Sequence, residues 1–289
     1  MRFRPRLNVP VSLGSVLIVL IAVAVIAGPL RDRPSADRTA GPQTASRKPP
    51  YLRLLVPAYF YPSNSGLKEW NRLIEAAKRV PVTAIVNVSN GPDDKIDLDY
   101  ANIIRRASDA GVTVAGYVNT NYGSRAIEEV RADIERWRRW YPQISAIFLD
   151  GQAVKEDNLD HYRQIRKIVA EILPGAEILT NPGAVCDEAY FKEKVCERVC
   201  VFERPRGFEQ FESERPKWWN QYRAECYSAI PYGVGSIDLM KRYLQKATQM
   251  RIGSIYVTDA SGKNRWSRLP EYWEAEVQAI HRINQRQAP

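Results

Sequence analysis

The stretch SAIFLDGQ, Ser145–Gln152, reads as a short apolar strand, Ala146 to Leu149, that ends on one carboxylate, Asp150, where the chain turns at Gly151. An ionised acid at the end of a buried strand loses its water, so it must be paired or put to use. Taken alone, such an acid can equally cap the following helix or bind a neighbouring Arg. Its meaning comes from the pattern in which it falls.

On either side of this stretch, short β-branched or aromatic runs alternate with longer amphipathic segments. Before it come LRLLVPAYF (52–60), VTAIVNVS (82–89) and TVAGYVNT (113–120), each followed by a helical pattern, at 67–80, 99–111 and 126–141. After it the helical segment 159–173 leads to EILTNPG (177–183), VCVFER (199–204), CYSAIPYG (226–233) and GSIYVTDA (253–260). Their helical segments are expected near 187–194, within 207–222 (delimited by Pro216), at 236–251 and at 269–285, where Pro270 suits a first helical turn. Strands alternating with helices imply parallel pairing through right-handed crossovers. Eight such units predict a closed (β/α)₈ TIM barrel over residues 51–289. The alternative is a doubly wound open sheet, which normally carries a glycine-rich phosphate turn after its first strand. Here that turn reads YFYPSNSG.

In a barrel of this kind the active site lies at the C-terminal ends of the strands. The polar residues there are Tyr59, Tyr61, Asn87, Asn90, Tyr117, Asn119, Thr120, Asp150, Asn181, Glu203, Tyr232, Thr258 and Asp259, with Tyr122 just beyond. Three are carboxylates: Asp150, Glu203 and Asp259. The two histidines, His161 and His281, fall inside helical patterns, so neither Ser–His nor Cys–His chemistry is indicated, and no cluster has metal-ligand spacing. No cofactor is expected. Two-carboxylate chemistry remains, and its commonest form is glycoside hydrolysis, in which one group protonates the leaving oxygen while the other attacks or activates water. Asp150 and Glu203 are the candidate pair. The bland alternatives are a salt bridge from Glu203 to Arg204 or Arg206, and a turn-capping role for Asp259. The aromatics suit a sugar, whose C–H faces stack on phenols while Asn and Thr bond its hydroxyls. Tyr59, Tyr61, Asn87, Asn90, Tyr117, Thr120, Tyr122, Asn181, Tyr232 and Asp259 are therefore the candidate substrate-binding set, although loop tyrosines are also ordinary packing residues.

Bulk properties narrow the partners. The formal net charge of the 289 residues is +9, but residues 1–50 hold eight Lys and Arg against two acids. The remainder carries 34 basic and 31 acidic residues, interleaved along helices as on a solvated surface, which argues against nucleic acid. Leu7 to Leu30 is free of charge and Val16 to Ala27 is unbroken apolar sequence, long enough to cross a bilayer. Arg2, Arg4 and Arg6 precede it, which favours an N-terminal anchor (residues 1–30) over a cleaved signal peptide. Either way the domain is expected outside the cytoplasm, membrane-anchored or secreted, on a Pro- and Ser-rich linker, residues 31–50. In that setting Cys186, Cys196, Cys200 and Cys226 are expected to form two disulfides. A monomer is expected.

The motifs VPAYFYPS, VNVSNGP, GYVNTNYG, IFLDGQ, TNPG, VFE and YVTD followed by RLPEYW resemble, in order, those of spherulation-specific family 4 over nearly all of residues 51–275. That resemblance implies a (β/α)₈ fold, a secreted or surface-attached protein, and endo-acting hydrolysis of exopolysaccharide containing N-acetylgalactosamine. Asp150 and Glu203 match acids of the family pattern, and Asn181-Pro182-Gly183 and Gly116-Tyr117-Val118 with Thr120 and Tyr122 match its other motifs. There are departures: Gly151 stands where the family typically carries Glu, and where the family favours Asn-Pro followed later by Gly-Pro-Gly this chain has Asn87-Val88 and Gly91-Pro92-Asp93. The missing acid leaves a second expectation open, a barrel that binds surface polysaccharide without cutting it. A metal-dependent deacetylase is disfavoured, because the rim lacks the His ligands it needs.

Overall fold

The computed structural model describes residues 51–287; the leader and linker read from residues 1–50 lie outside them. Eight parallel strands close into one barrel in sequence order: β1 (Arg53–Pro57), β2 (Val82–Val86), β3 (Thr113–Asn119), β4 (Ala146–Asp150), β5 (Glu177–Asn181), β6 (Arg198–Phe202), β7 (Tyr227–Ala229) and β8 (Ser254–Ile255). Helices α1 (Asn64–Ala76), α2 (Leu98–Asp109), α3 (Ile127–Trp140), α4 (Leu159–Ile172), α5 (Ala189–Lys192), α6 (Ile237–Gln249) and α7 (Trp273–Gln285) follow their strands, except after β6. The TIM barrel expected from the alternation is therefore the observed fold. Among the described residues no helix is long and apolar enough to cross a membrane.

Each helix buries one apolar stripe against the strands. On α4 the stripe is Leu159, Tyr162, Ile165, Ile168 and Val169. Starts are fixed locally: Asp97 accepts from Tyr100 N–H at α2, and Ser236 accepts from Leu239 N–H at α6. The ends of the chain close the ring. Asn284 on α7 accepts from Leu52 N–H at 2.8 Å and donates to Leu52 O at 2.9 Å, giving the entry to β1 a sheet-like partner.

Three expectations need correction. The segment 207–222 is not an α-helix but a series of 3₁₀ turns, Phe211–Glu214, Trp219–Gln221 and, just beyond it, Ala224–Cys226. Pro216 lacks the N–H a longer helix needs there, and burial is achieved instead by aromatics. Trp219 stacks on Tyr227 at 3.9 Å, and Phe202 packs against Phe208 and Phe211. Pro270 lies ahead of α7, its carbonyl accepting from Trp273 N–H. The four cysteines are free thiols, not two disulfides. Cys200 is built into β6 with no exposed surface, its Sγ directed at Phe202 O, and Cys186 is buried in a pocket that pushes its thiol up to about 12.

β8 is only two residues long, and Glu276 of α7 takes over where its ladder stops, accepting from Val257 N–H at 2.8 Å. Glu276 has no exposed surface and its second oxygen has no partner. Burial raises its pKa well above the ordinary carboxylate value, with the charge of Asp259 adding to the effect. A raised folded-state pKa gives stability that is complete below the unfolded value and is lost as pH rises through the folded one. Glu276→Gln keeps the acceptor and removes the proton. Its stability relative to wild type is expected to improve from pH 4 to pH 8, read from urea midpoints; an unchanged difference across that range contradicts a neutral buried carboxyl.

Candidate active site

Parallel register sets Asn119, Asp150 and Asn181 side by side at the C-terminal mouth of the barrel. Asn181 then joins two acids. Its Nδ2 donates to Asp150 Oδ1 at 2.8 Å and to Glu203 Oε2 at 2.5 Å, while its Oδ1 accepts from Gly183 N–H at 3.0 Å. The turn at Gly183 thus orients the amide so that its donors face the carboxylates. Glu203, one residue past β6, is fixed by its own N–H donating to Gly183 O at 3.2 Å. Because one nitrogen reaches both acids, the gap between the two accepting oxygens cannot exceed the sum of those bonds. That bound falls short of the roughly 6.5–9.5 Å that holds a water between two carboxyls, and lies on the side of the ~5–5.5 Å spacing of double displacement.

Tyr117, inward on β3, donates its hydroxyl to Asp150 Oδ2 at 2.8 Å, and Tyr59 meets the Tyr117 ring edge-on at 6.0 Å. Asp150 therefore accepts from two neutral donors, one on each oxygen. Glu203 sits differently. Burial raises its pKa above the ordinary value and the charge of Asp150 adds to this; the Asn181 bond and the Arg265 charge oppose it. Burial and the neighbouring acids also push the phenols of Tyr59 and Tyr117 up, so both remain donors. Two carboxyls in unlike surroundings, held close together, can divide proton donation from nucleophilic attack.

The other candidates are distributed as follows. Tyr232 lies beneath Arg265, whose guanidinium is 4.4 Å from its ring and 5.2 Å from that of Trp266, with Nη2 3.9 Å from Glu203 Oε1. Thr120 is fully buried, its hydroxyl between the carbonyls of Asp150 and Gly151, so it braces the turn and is closed to a ligand. Asn87 accepts from Gly91 N–H and shapes the loop after β2. Tyr61 turns away to bond Asp97 and Asp99 beside α2. Asp259 is held by Arg268 through two bonds, at 2.9 and 3.0 Å. Asn90 and Tyr122 are exposed on the loops after β2 and β3. Glu203 pairs with neither Arg204 nor Arg206: Arg204 binds Glu214 instead. Arg265 and Trp266, in the aperiodic run SGKNRW, carry no sequence signal that distinguishes them from other loop residues.

At Gly151 the backbone is left-handed, φ +62°, and its carbonyl accepts from Tyr122 N–H. A Cβ added there has ordinary room, its nearest atoms 3.6 Å away, so the obstacle to a side chain is backbone conformation. Among the described residues no three His, Cys, Asp or Glu gather as metal ligands. His161 lies on α4 and His281 on α7, the latter against Arg79 O.

Comparison with known proteins bears on the fold and the family. Spherulin-4 of Physarum polycephalum is 27% identical over 253 residues, covering 83% of this chain and 73% of that protein. Among solved structures, Aspergillus clavatus Sph3 in complex with GalNAc superimposes with a TM-score of 0.69 at 23% identity, over 80% of this chain and 98% of that one. An endo-beta-N-acetylglucosaminidase from Cordyceps militaris gives 0.51 at 9% identity, over 82% and 91% of the two chains. At these identities the structures share the fold. The profile of spherulation-specific family 4 matches residues 53–280, and the chain belongs to that family.

Proposed function

We propose that the protein is an exported glycoside hydrolase that cleaves an exopolysaccharide containing N-acetylgalactosamine, with Glu203 as general acid and Asp150 as nucleophile. The observation that carries this reading is the Asn181 bridge, which holds two acids within double-displacement distance at the mouth of the barrel. Glu203, whose pKa burial raises, gives its proton to the glycosidic oxygen as Asp150 attacks the anomeric carbon. Glu203 then accepts a proton from the water that releases the sugar. The GalNAc held by Aspergillus clavatus Sph3 supports the choice of sugar, and the apolar run before residue 31 supports export.

Incubation of residues 51–289 with purified N-acetylgalactosamine polymers is expected to yield short oligosaccharides by mass spectrometry. The first-formed anomer, read by proton NMR, is expected to keep the configuration of the bond cut. Inversion would remove Asp150 from the nucleophile's role. The second reading, binding without cleavage, is favoured by Gly151, where the family typically has an acid. Saturable binding of the polymer with no product after long incubation would establish it in place of the first.

A further inference from the structure

The loop that follows β8 brings a cation to the acids at the mouth. Arg265 extends towards Glu203, its Nη2 3.9 Å from Oε1. That oxygen is the free one, because Oε2 already accepts from Asn181. The guanidinium is not a roaming surface charge. Its Nη1 donates to Gly262 O at 2.8 Å, and its carbon lies 4.4 Å from the centre of the Tyr232 ring and 5.2 Å from that of Trp266. Those two rings meet edge-on at 5.8 Å, which gives the cation a fixed aromatic seat. We propose that Arg265 is a positioning residue for Glu203, a fixed counter-charge that steadies the carboxylate left when Glu203 gives up its proton. The inference rests on the hydrolase reading given above and extends it to a residue that need not touch the sugar.

Distance decides how Arg265 acts. At 3.9 Å its Nη2 is beyond hydrogen-bond reach of Oε1, so that oxygen stays able to carry the proton. Coulomb attraction still operates at that separation, and it favours only the ionised form. The other groups around Glu203 pull the opposite way or not at all. Asp150 on β4 repels its charge, while Tyr59 beyond β1, Tyr117 on β3 and Cys200 on β6 are buried groups whose own ionisation the Glu203 charge opposes. Arg204, next in sequence, is engaged with Glu214. Among the described residues, Arg265 is thus the cation that bears on the acid. Without it, burial and Asp150 would make Glu203 a weaker acid, slower to protonate a poor leaving group. An arginine suits this duty, since it keeps its charge at any working pH and is already seated before the reaction begins.

The test compares wild type with Arg265→Met, which keeps the length and removes the charge, and with Arg265→Lys, which restores the charge. Titration of Glu203 is followed by carbon NMR of labelled glutamate carboxyls, its resonance identified by its loss in Glu203→Gln. Arg265→Met is expected to move that titration to higher pH, and Arg265→Lys to bring most of it back. With polymer as substrate, Arg265→Met is expected to lower kcat about tenfold, carry the alkaline limb of kcat/KM upward and leave KM within about twofold. An activated aryl glycoside, whose leaving group needs little protonation, is expected to lose no more than about threefold. The proposal is overturned if Glu203 titrates alike in wild type and Arg265→Met, or if Arg265→Lys behaves as Arg265→Met. It is also overturned if the loss falls on KM alone, which would make Arg265 a sugar contact. Titration needs no turnover, so a wild type that cleaves nothing rejects the hydrolase reading, while the NMR shift still decides the counter-charge.

Discussion

Glu203→Gln is expected to lower release of reducing ends from the polymer by roughly 10²–10⁴-fold, the usual loss when a general acid is removed. Glutamine is close to isosteric and retains an oxygen for the Asn181 amide, so binding should persist while kcat falls. The pH profile gives a sharper check. Burial and the Asp150 charge raise the pKa of Glu203, so its protonated, acid-competent form survives above the ordinary carboxylate range. The alkaline limb of kcat/KM should accordingly lie above the pH at which an exposed glutamate ionises, and should vanish in the variant. Stability moves in a defined sense as well. A carboxyl whose folded pKa is raised contributes stability that is present below the unfolded value and lost as pH rises through the folded one. Glu203→Gln should therefore be no less stable than wild type at neutral pH and relatively less favoured in acid. A variant that keeps wild-type turnover would remove Glu203 from the chemistry; one that unfolds would be detected in the same denaturation series.

The barrel was legible because its signals are periodic. Alternating runs and amphipathic helices repeat along the chain, and the apolar stripe of α4 or the β-branched run of β2 reads the same from sequence as from coordinates. The segment after β6 was not legible, because aromatic stacking around Trp219 and Tyr227 leaves no period for a pattern to reveal. In the candidate site, strand ends located Asp150, Asn181 and Glu203, since each terminates or closely follows a recognisable apolar run. What those residues do to one another was hidden. Asn181 read as a sugar contact, yet its amide bonds both acids and the Gly183 N–H, which makes it the residue that positions them. Arg265 was missed altogether: it reaches Glu203 from the loop after β8, and only the folded chain brings residues so distant in sequence together. The cysteines misled for a related reason. Export made disulfides plausible, but pairing depends on distances that spacing along the chain does not encode.

Trp137→Ala is expected to cost about 3–5 kcal/mol of folding stability, the range for deleting a fully buried tryptophan. Trp137 on α3 has no exposed surface, packs against Tyr141 at 5.2 Å, and donates its indole N–H to Tyr117 O at 2.9 Å. It can lie flat on β3 only because residue 116 is glycine; a Cβ there would come within 2.7 Å of the indole ring. Gly116→Val should therefore destabilise from the opposite side, by about 1–3 kcal/mol or more, as overpacking does. The two losses should not add. With the indole gone, the valine partly fills the space it left, so the double variant is expected to be more stable than the sum of the single losses implies, with a coupling of roughly 0.5–3 kcal/mol in urea unfolding. Additive losses would mean that ring and glycine do not share one packing site. The same contact bears on chemistry, because the carbonyl that Trp137 holds belongs to Tyr117, whose hydroxyl donates to Asp150. Any hydrolytic activity should then fall in Trp137→Ala even below its unfolding transition, through displacement of a donor and not through loss of an acid, and its pH limb should stay where Glu203 sets it.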